Sequence, residues 1–239
     1  MRITCRTAML SGLMFLSATT LRAQAPVDLS GHWEGAVQSP GLELGFQIDL
    51  AKNAAGELSG TISVPSENLR GLPLQTISIK GKVVSFYARR DQPLAGYISE
   101  DGKSISGDYS VEGFTLPFNL TRIGDARIDP PVRSAAVSRE LEGTWNGSLQ
   151  ANGGALRVSL TMQNQPDGSA IGRLVVIDQG GLQIPVAVAQ QASAVTLDAR
   201  AVPARFTGVL NAEGAELTGT WTQGSIEAAL TFKRADASK

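Results

Sequence analysis

The block Gly31-His32-Trp33-Glu34-Gly35 returns as Gly143-Thr144-Trp145-Asn146-Gly147, 112 residues later, and the same spacing carries through much of the chain. Gln38 and Gly41 meet Gln150 and Gly153, and Gly56, Gly60 and Pro73 meet Gly168, Gly172 and Pro185. Further on, Gly96, Gly102, Gly107 and Arg122 meet Gly208, Gly214, Gly219 and Arg234. Glycine and proline set turns through backbone geometry, so matched punctuation amid drifting side chains is the mark of one backbone written twice. The expected division is a leader at residues 1–25, a first repeat at 26–123, a linker at 124–140, a second repeat at 141–235 and a tail at 236–239.

Within a repeat the apolar period is two. Leu42, Leu44, Phe46, Ile48 and Leu50 alternate with polar residues or glycine, and Leu156, Val158, Leu160 and Met162 reproduce the pattern. That is a strand with one buried and one wet face. Trp33/Gly35/Val37, Leu58/Gly60/Ile62/Val64, Leu72/Leu74, Val83/Ser85/Tyr87, Leu94/Gly96/Ile98, Ile105/Gly107/Tyr109 and Phe114/Leu116/Phe118/Leu120 complete eight strands. Glu100-Asp101-Gly102 and Pro166-Asp167-Gly168 read as hairpin turns, with the aspartates as turn residues rather than calcium ligands. Eight short strands joined by hairpins bury their apolar faces and lose their edges by closing. The fold expected is all-β: two tandem eight-stranded antiparallel up-and-down barrels, with a two-sheet sandwich satisfying the same alternation. The linker carries Asp129-Pro130-Pro131 and Ser134-Ala135-Ala136-Val137, a proline-stiffened connector expected to end in a short helical turn.

Arg2 and Arg6, the apolar run from Ala8 to Ala18 and Ala23-Gln24-Ala25 have the form of a secretory leader, which predicts an exported chain, periplasmic or extracellular, with no membrane-spanning segment after processing. Cys5 falls inside that leader, so the mature chain has no thiol for redox chemistry and no disulfide. Twenty-one basic and twenty-two acidic residues, without a like-charge run, argue against a nucleic-acid partner.

Trp33 shares a phase with Gly35 and Val37, and Arg122 continues the inward phase of Leu116, Phe118 and Leu120. The two are expected to meet as a cation–π latch closing the first barrel, with Trp145 and Arg234 doing the same in the second. Gly-x-Trp on the first strand with arginine ending the last resembles the closure signature of lipocalins and their calycin relatives. The whole repeat is similar to the calycin-like β module that precedes the catalytic domain in many secreted bacterial α/β-hydrolases. Gly143-Thr144-Trp145-Asn146-Gly147, Asp178-Gln179-Gly180, Ile184-Pro185 and Gly219-Thr220-Trp221-Thr222-Gln223-Gly224 carry that similarity. The first copy departs from it at Glu67-Asn68, Leu72-Pro73 and Gly107-Asp108-Tyr109. The resemblance implies a partner hydrolase as one possible binding target.

The hydrolase itself has no counterpart here, because no Gly-x-Ser-x-Gly elbow occurs. The only histidine, His32, reads as an exposed strand residue beside Trp33 rather than a base. One histidine does not make a zinc site, and the glycines do not precede helices as nucleotide loops require, so no metal and no cofactor are expected. What remains is binding, with a cryptic hydrolase using carboxylates or Ser66 as the alternative. One candidate site is a barrel interior, open to a small apolar ligand or filled by Phe46, Phe114 and Phe118; the second copy, with Ala199 and Ala228, has more room. The other is the connection after the third strand, with Ser66, Glu67 and Asn68 in one copy and Asp178 and Gln179 in the next, either a recognition loop or a cap on the barrel end.

Overall fold

A computed structural model describes residues 28–151 and 154–235; the leader expected at residues 1–25 lies outside them. The first repeat supplies β1 (Gly31–Ser39), β2 (Leu42–Lys52), β3 (Leu58–Val64), a 3-10 turn at Pro65–Glu67, β4 (Leu69–Pro73), β5 (Thr76–Lys80), β6 (Val83–Tyr87), β7 (Leu94–Ile98), β8 (Ser104–Val111) and β9 (Phe114–Gly124). The linker contributes β10 (Ser134–Ala135). The second repeat supplies β11 (Gly143–Ala151), β12 (Gly154–Asn164), β13 (Ser169–Val176), β14 (Leu182–Gln191), β15 (Ala194–Ala199), β16 (Ala204–Leu210), β17 (Glu216–Gln223) and β18 (Ile226–Arg234). Each repeat is an antiparallel meander in which the first strand also pairs with the last, β1 with β9 and β11 with β18. The all-β, two-barrel architecture expected from the alternation is the one observed.

The second barrel closes with eight strands, because β14 pairs with β13 on one side and β15 on the other. The first does not close in the same way. Its corresponding strand is cut into β4, which pairs with β3, and β5, which pairs with β6. A one-residue slip is the cause. Leu74 bonds back to Gly60 as Val186 pairs with Gly172, an offset of 112, whereas Val84 stands opposite Gly96 as Val195 stands opposite Gly208, an offset of 111 on one strand and 112 on the other. Gln75 is the extra residue, and an inserted residue bends a strand and breaks its ladder.

The slip also flips a phase. Val84 and Phe86 are the buried residues of β6, and Val83 is exposed, opposite to the phase expected from Val83/Ser85/Tyr87. Phe114, expected inside, is 69% exposed, because β9 begins beyond the barrel wall as half of the Val111–Phe114 hairpin. Asp101 and Asp167 sit in turns as expected, accepting bonds from the N–H groups of Lys103 and Ser169 at 3.0 Å. Hydrogen bonds from Ser99 and Ser169, respectively, hold their carboxyls below the usual range.

The linker is part of the second barrel rather than a spacer. β10 lies along β13, Val137 is buried in the second core, and residues 138–141 form one hydrogen-bonded turn rather than a helix. His32 is 2% exposed and not on the surface as expected. Its Nδ1 lies 2.7 Å from Asp49 and its Nε2 3.0 Å from Glu34, and the passing N–H of Arg127 donates to the same Asp49 oxygen at 2.7 Å. Thr144 and Thr161 occupy the matching places in the second barrel.

Candidate functional site

Each Gly-x-Trp-x-Gly block anchors the start of its barrel. Trp33 and Trp145 are fully buried, and their indole N–H groups donate at 3.0 Å to the carbonyls of Leu29 and Leu141. Trp33 stands in register with Arg122 and Trp145 with Arg234, the guanidinium carbons lying 6.0 and 4.5 Å from the ring centres. Arg122 bonds to the carbonyl of Ser30, and Arg234 to those of Glu142 and Gly214 at 2.8 and 3.0 Å. These groups lie away from the open ends of the barrels, and none lines the cavity described next.

The open ends face one another. Arg70 N–H donates to Ala201 O at 2.9 Å, Arg90 N–H to Gly180 O at 3.0 Å, and the inserted Gln75 sends its amide N–H to Ala88 O and to Gly181 O at 2.7 and 2.8 Å. Leu72 belongs to the core of the second barrel although β4 carries it, and Ile62 and Leu69 pack beside it. Neither barrel therefore has a private interior at this end.

Between the two mouths lies one cavity of about 510 Å³, walled by Val37, Leu44, Phe46 and Val64 from the first barrel and by Val158, Leu174, Trp221 and Leu230 from the second. Its volume falls in the range of small-molecule sites, and its lining of aliphatic and aromatic side chains with a few polar groups has the usual composition. The expected choice between a filled core and a cup in one repeat is resolved differently: the space is shared. Ala228 lines it as expected of a roomier second copy, whereas Ala199 is buried in the wall.

Both barrels supply polar groups, Glu67, Arg89, Gln92 and Tyr109 coming from the first. Tyr109 Oη donates to Gln92 Oε1 at 2.8 Å, and burial pushes its phenol pKa up, with Arg89 opposing. Arg89 pairs with Asp91 at 3.0 Å, and that hydrogen bond holds the Asp91 carboxyl below its ordinary range. Gln150, Gln179 and Gln223 are the second barrel's contribution. Such a lining offers hydrogen bonds to a polar end and van der Waals contact to an apolar body.

Of the residues singled out in the loops, Glu67 and Gln179 reach the cavity. Ser66 lies instead by a shallow depression on the outer wall, with Glu34, Gln47 and Asn119. Asn68 ends the 3-10 turn in the left-handed conformation, φ 56°, and serves the turn. Asp178 is turned outward and held by Arg157, accepting from its backbone N–H at 2.7 Å and its Nε at 2.9 Å, which lowers the carboxyl pKa. His32 bonds only to carboxylates, on opposite ring nitrogens, so these three donors do not converge on one point, and among the described residues no cluster of metal-type ligands occurs. Of the cavity residues that sequence reasoning did not single out, Arg89 and Gln92 sit in the β6–β7 connection, where polar residues between two strands read as an ordinary turn, and Tyr109 on β8 read as one more inward strand residue.

No family of known proteins matches the chain, and no curated protein matches it. Among solved structures it is similar to a Bacteroides fragilis protein assigned provisionally to the outer membrane, at 15% identity over 87% of this chain and 98% of that one, with a TM-score of 0.25. It is likewise similar to a protein of unknown function from the DUF3598 family of Nostoc punctiforme, at 14% identity over 86% and 96% of the two chains and a TM-score of 0.25.

Proposed function

We propose that the chain is an exported, non-catalytic binding protein that holds one small apolar molecule in the cavity between its barrels. The observation that carries the reading is the shared cavity of about 510 Å³, mostly apolar with a few polar groups from each barrel. The leader-like start of the sequence supports export, and the position of His32, committed to two carboxylates away from the cavity, supports a role without chemistry.

Trp221 makes the reading testable, because it lines the cavity while Trp33 and Trp145 do not. Titration with N-phenyl-1-naphthylamine, an uncharged apolar dye, will saturate and quench the emission contributed by Trp221, and Trp221→Phe will remove that quenching. Ala228→Trp, which places an indole in the space, will abolish binding while leaving the far-ultraviolet spectrum of the barrels unchanged, at a packing cost of about 1–3 kcal/mol. Dye uptake that never saturates, or that Ala228→Trp leaves intact, overturns the proposal.

A further inference from the structure

The wall that the second barrel gives to the cavity carries no charge: Gln150, Gln179 and Gln223 are its polar residues, and the rest is aliphatic or the indole of Trp221. The charges come from the first barrel and are of both signs, Arg89 and Glu67. The charge of Arg89 is already matched, since its Nε and Nη2 donate to the two carboxylate oxygens of Asp91 at 3.3 and 3.0 Å. Glu67 is exposed. Tyr109 stands among these groups. Burial raises its phenol pKa, Arg89 opposes that, and Glu67, Asp91 and Glu112 add to it, so one positive and three negative groups act on this part of the wall.

Such a lining serves neither kind of ion. A ligand carboxylate at Tyr109 meets a guanidinium engaged by Asp91 and adds a fourth negative group, while an ammonium there meets the positive charge of Arg89. Either ion also gives up its water on entering a mostly apolar space, which is costly without a dedicated partner. A neutral head is better served. Tyr109 Oη donates to Gln92 Oε1 at 2.8 Å, which leaves the phenol oxygen as an acceptor and the Gln92 amide N–H groups as donors. Turning the amide over exchanges the two roles and still leaves one donor and one acceptor. Both residues are half-buried, so a hydrogen bond made to them is sheltered from water.

We propose that the molecule held between the barrels is an amphiphile whose head is neutral and both donates and accepts a hydrogen bond, a primary amide or an alcohol, seated on the Tyr109–Gln92 pair. Its apolar body lies against Leu44, Phe46, Val158 and Trp221, which line the same space. The inference rests on the cavity being a binding site and adds the chemistry of the head. It separates the ligand from a fatty-acid anion and from an alkyl ammonium of the same chain.

The test is displacement of N-phenyl-1-naphthylamine from the whole protein near neutral pH by five probes that share one chain: decanamide, 1-decanol, methyl decanoate, decanoate and decylammonium. The amide and the alcohol will bind more tightly than either ion by about tenfold or more. Gln92→Leu, which removes one amide and the partner of the phenol, will cut the affinity ratio of decanamide to methyl decanoate, an acceptor only, by about tenfold, and Tyr109→Phe will lower it in the same direction. The ratio is the readout, because a general loosening of the cavity weakens both probes alike. Decanoate or decylammonium binding as tightly as the amide and the alcohol, or a ratio that neither variant changes, overturns the proposal while saturable dye binding leaves the cavity standing as a site. Dye uptake that never saturates overturns both.

Discussion

Replacing Trp145 by alanine will cost about 3–5 kcal/mol in urea unfolding, the range for removing a fully buried aromatic ring. The indole has no exposed surface, donates to Leu141 O at 3.0 Å and lies 4.5 Å from the Arg234 guanidinium carbon. Truncation leaves a cavity, an unpaired carbonyl and an arginine without its ring, and the three losses act together. Trp33→Ala will cost a similar amount, since its burial and its bond to Leu29 are the same. The arginines will not be equal: Arg122 lies 6.0 Å from its ring, so Arg122→Ala will cost less through the cation–π contact than Arg234→Ala. A loss below about 1 kcal/mol for Trp145→Ala, the range of surface substitutions, means that the ring does not hold the barrel closed.

Gly35→Ala will be the more damaging of the two matched glycine substitutions, at about 3 kcal/mol or more against about 1–2 kcal/mol for Gly147→Ala. A Cβ on Gly35 would overlap the backbone carbonyl of Asn119 on β9, and backbone yields only if the two closing strands part. At Gly147 the overlap is smaller: the nearest atom is Thr231 O at 2.9 Å, followed by side-chain carbons of Phe232 and Leu230 at 3.0 and 3.2 Å. Thermal unfolding of the two variants decides the matter; equal losses contradict the close approach of β1 to β9. The last glycine of each Gly-x-Trp-x-Gly block is therefore a spacing device, and the tryptophan beside it is an anchor.

The fold was legible because its determinants are local and repeated. Alternation in β2 and β12 names the inward face, and paired glycines name the turns, as at Gly102 and Gly168, both with positive φ. The break between β4 and β5 was legible too, but in a weaker signal: the apolar phase runs Leu72, Leu74 and then Ile77, Ile79, so it changes parity at the inserted Gln75. The burial of His32 was not legible, because the Asp49 carboxylate that pairs with it is also held by the N–H of Arg127, far along the chain. Nor was the cavity. Leu44 and Val158 look like ordinary core residues in their own strands, and only the meeting of two mouths turns them into walls of a common space. Loop residues were legible only as a region. The same stretch that sends Glu67 and Gln179 to the cavity sends Asp178 to Arg157.

The measurement that tests a shared site most directly is the stoichiometry of dye binding by native mass spectrometry, with one cavity-filling change in each barrel, Leu44→Trp in the first and Ala228→Trp in the second. A single cavity built by both walls predicts one dye per chain and none in either variant. Two dyes per chain, or one that survives in either variant, would contradict it and return the ligand, if any, to the separate barrels.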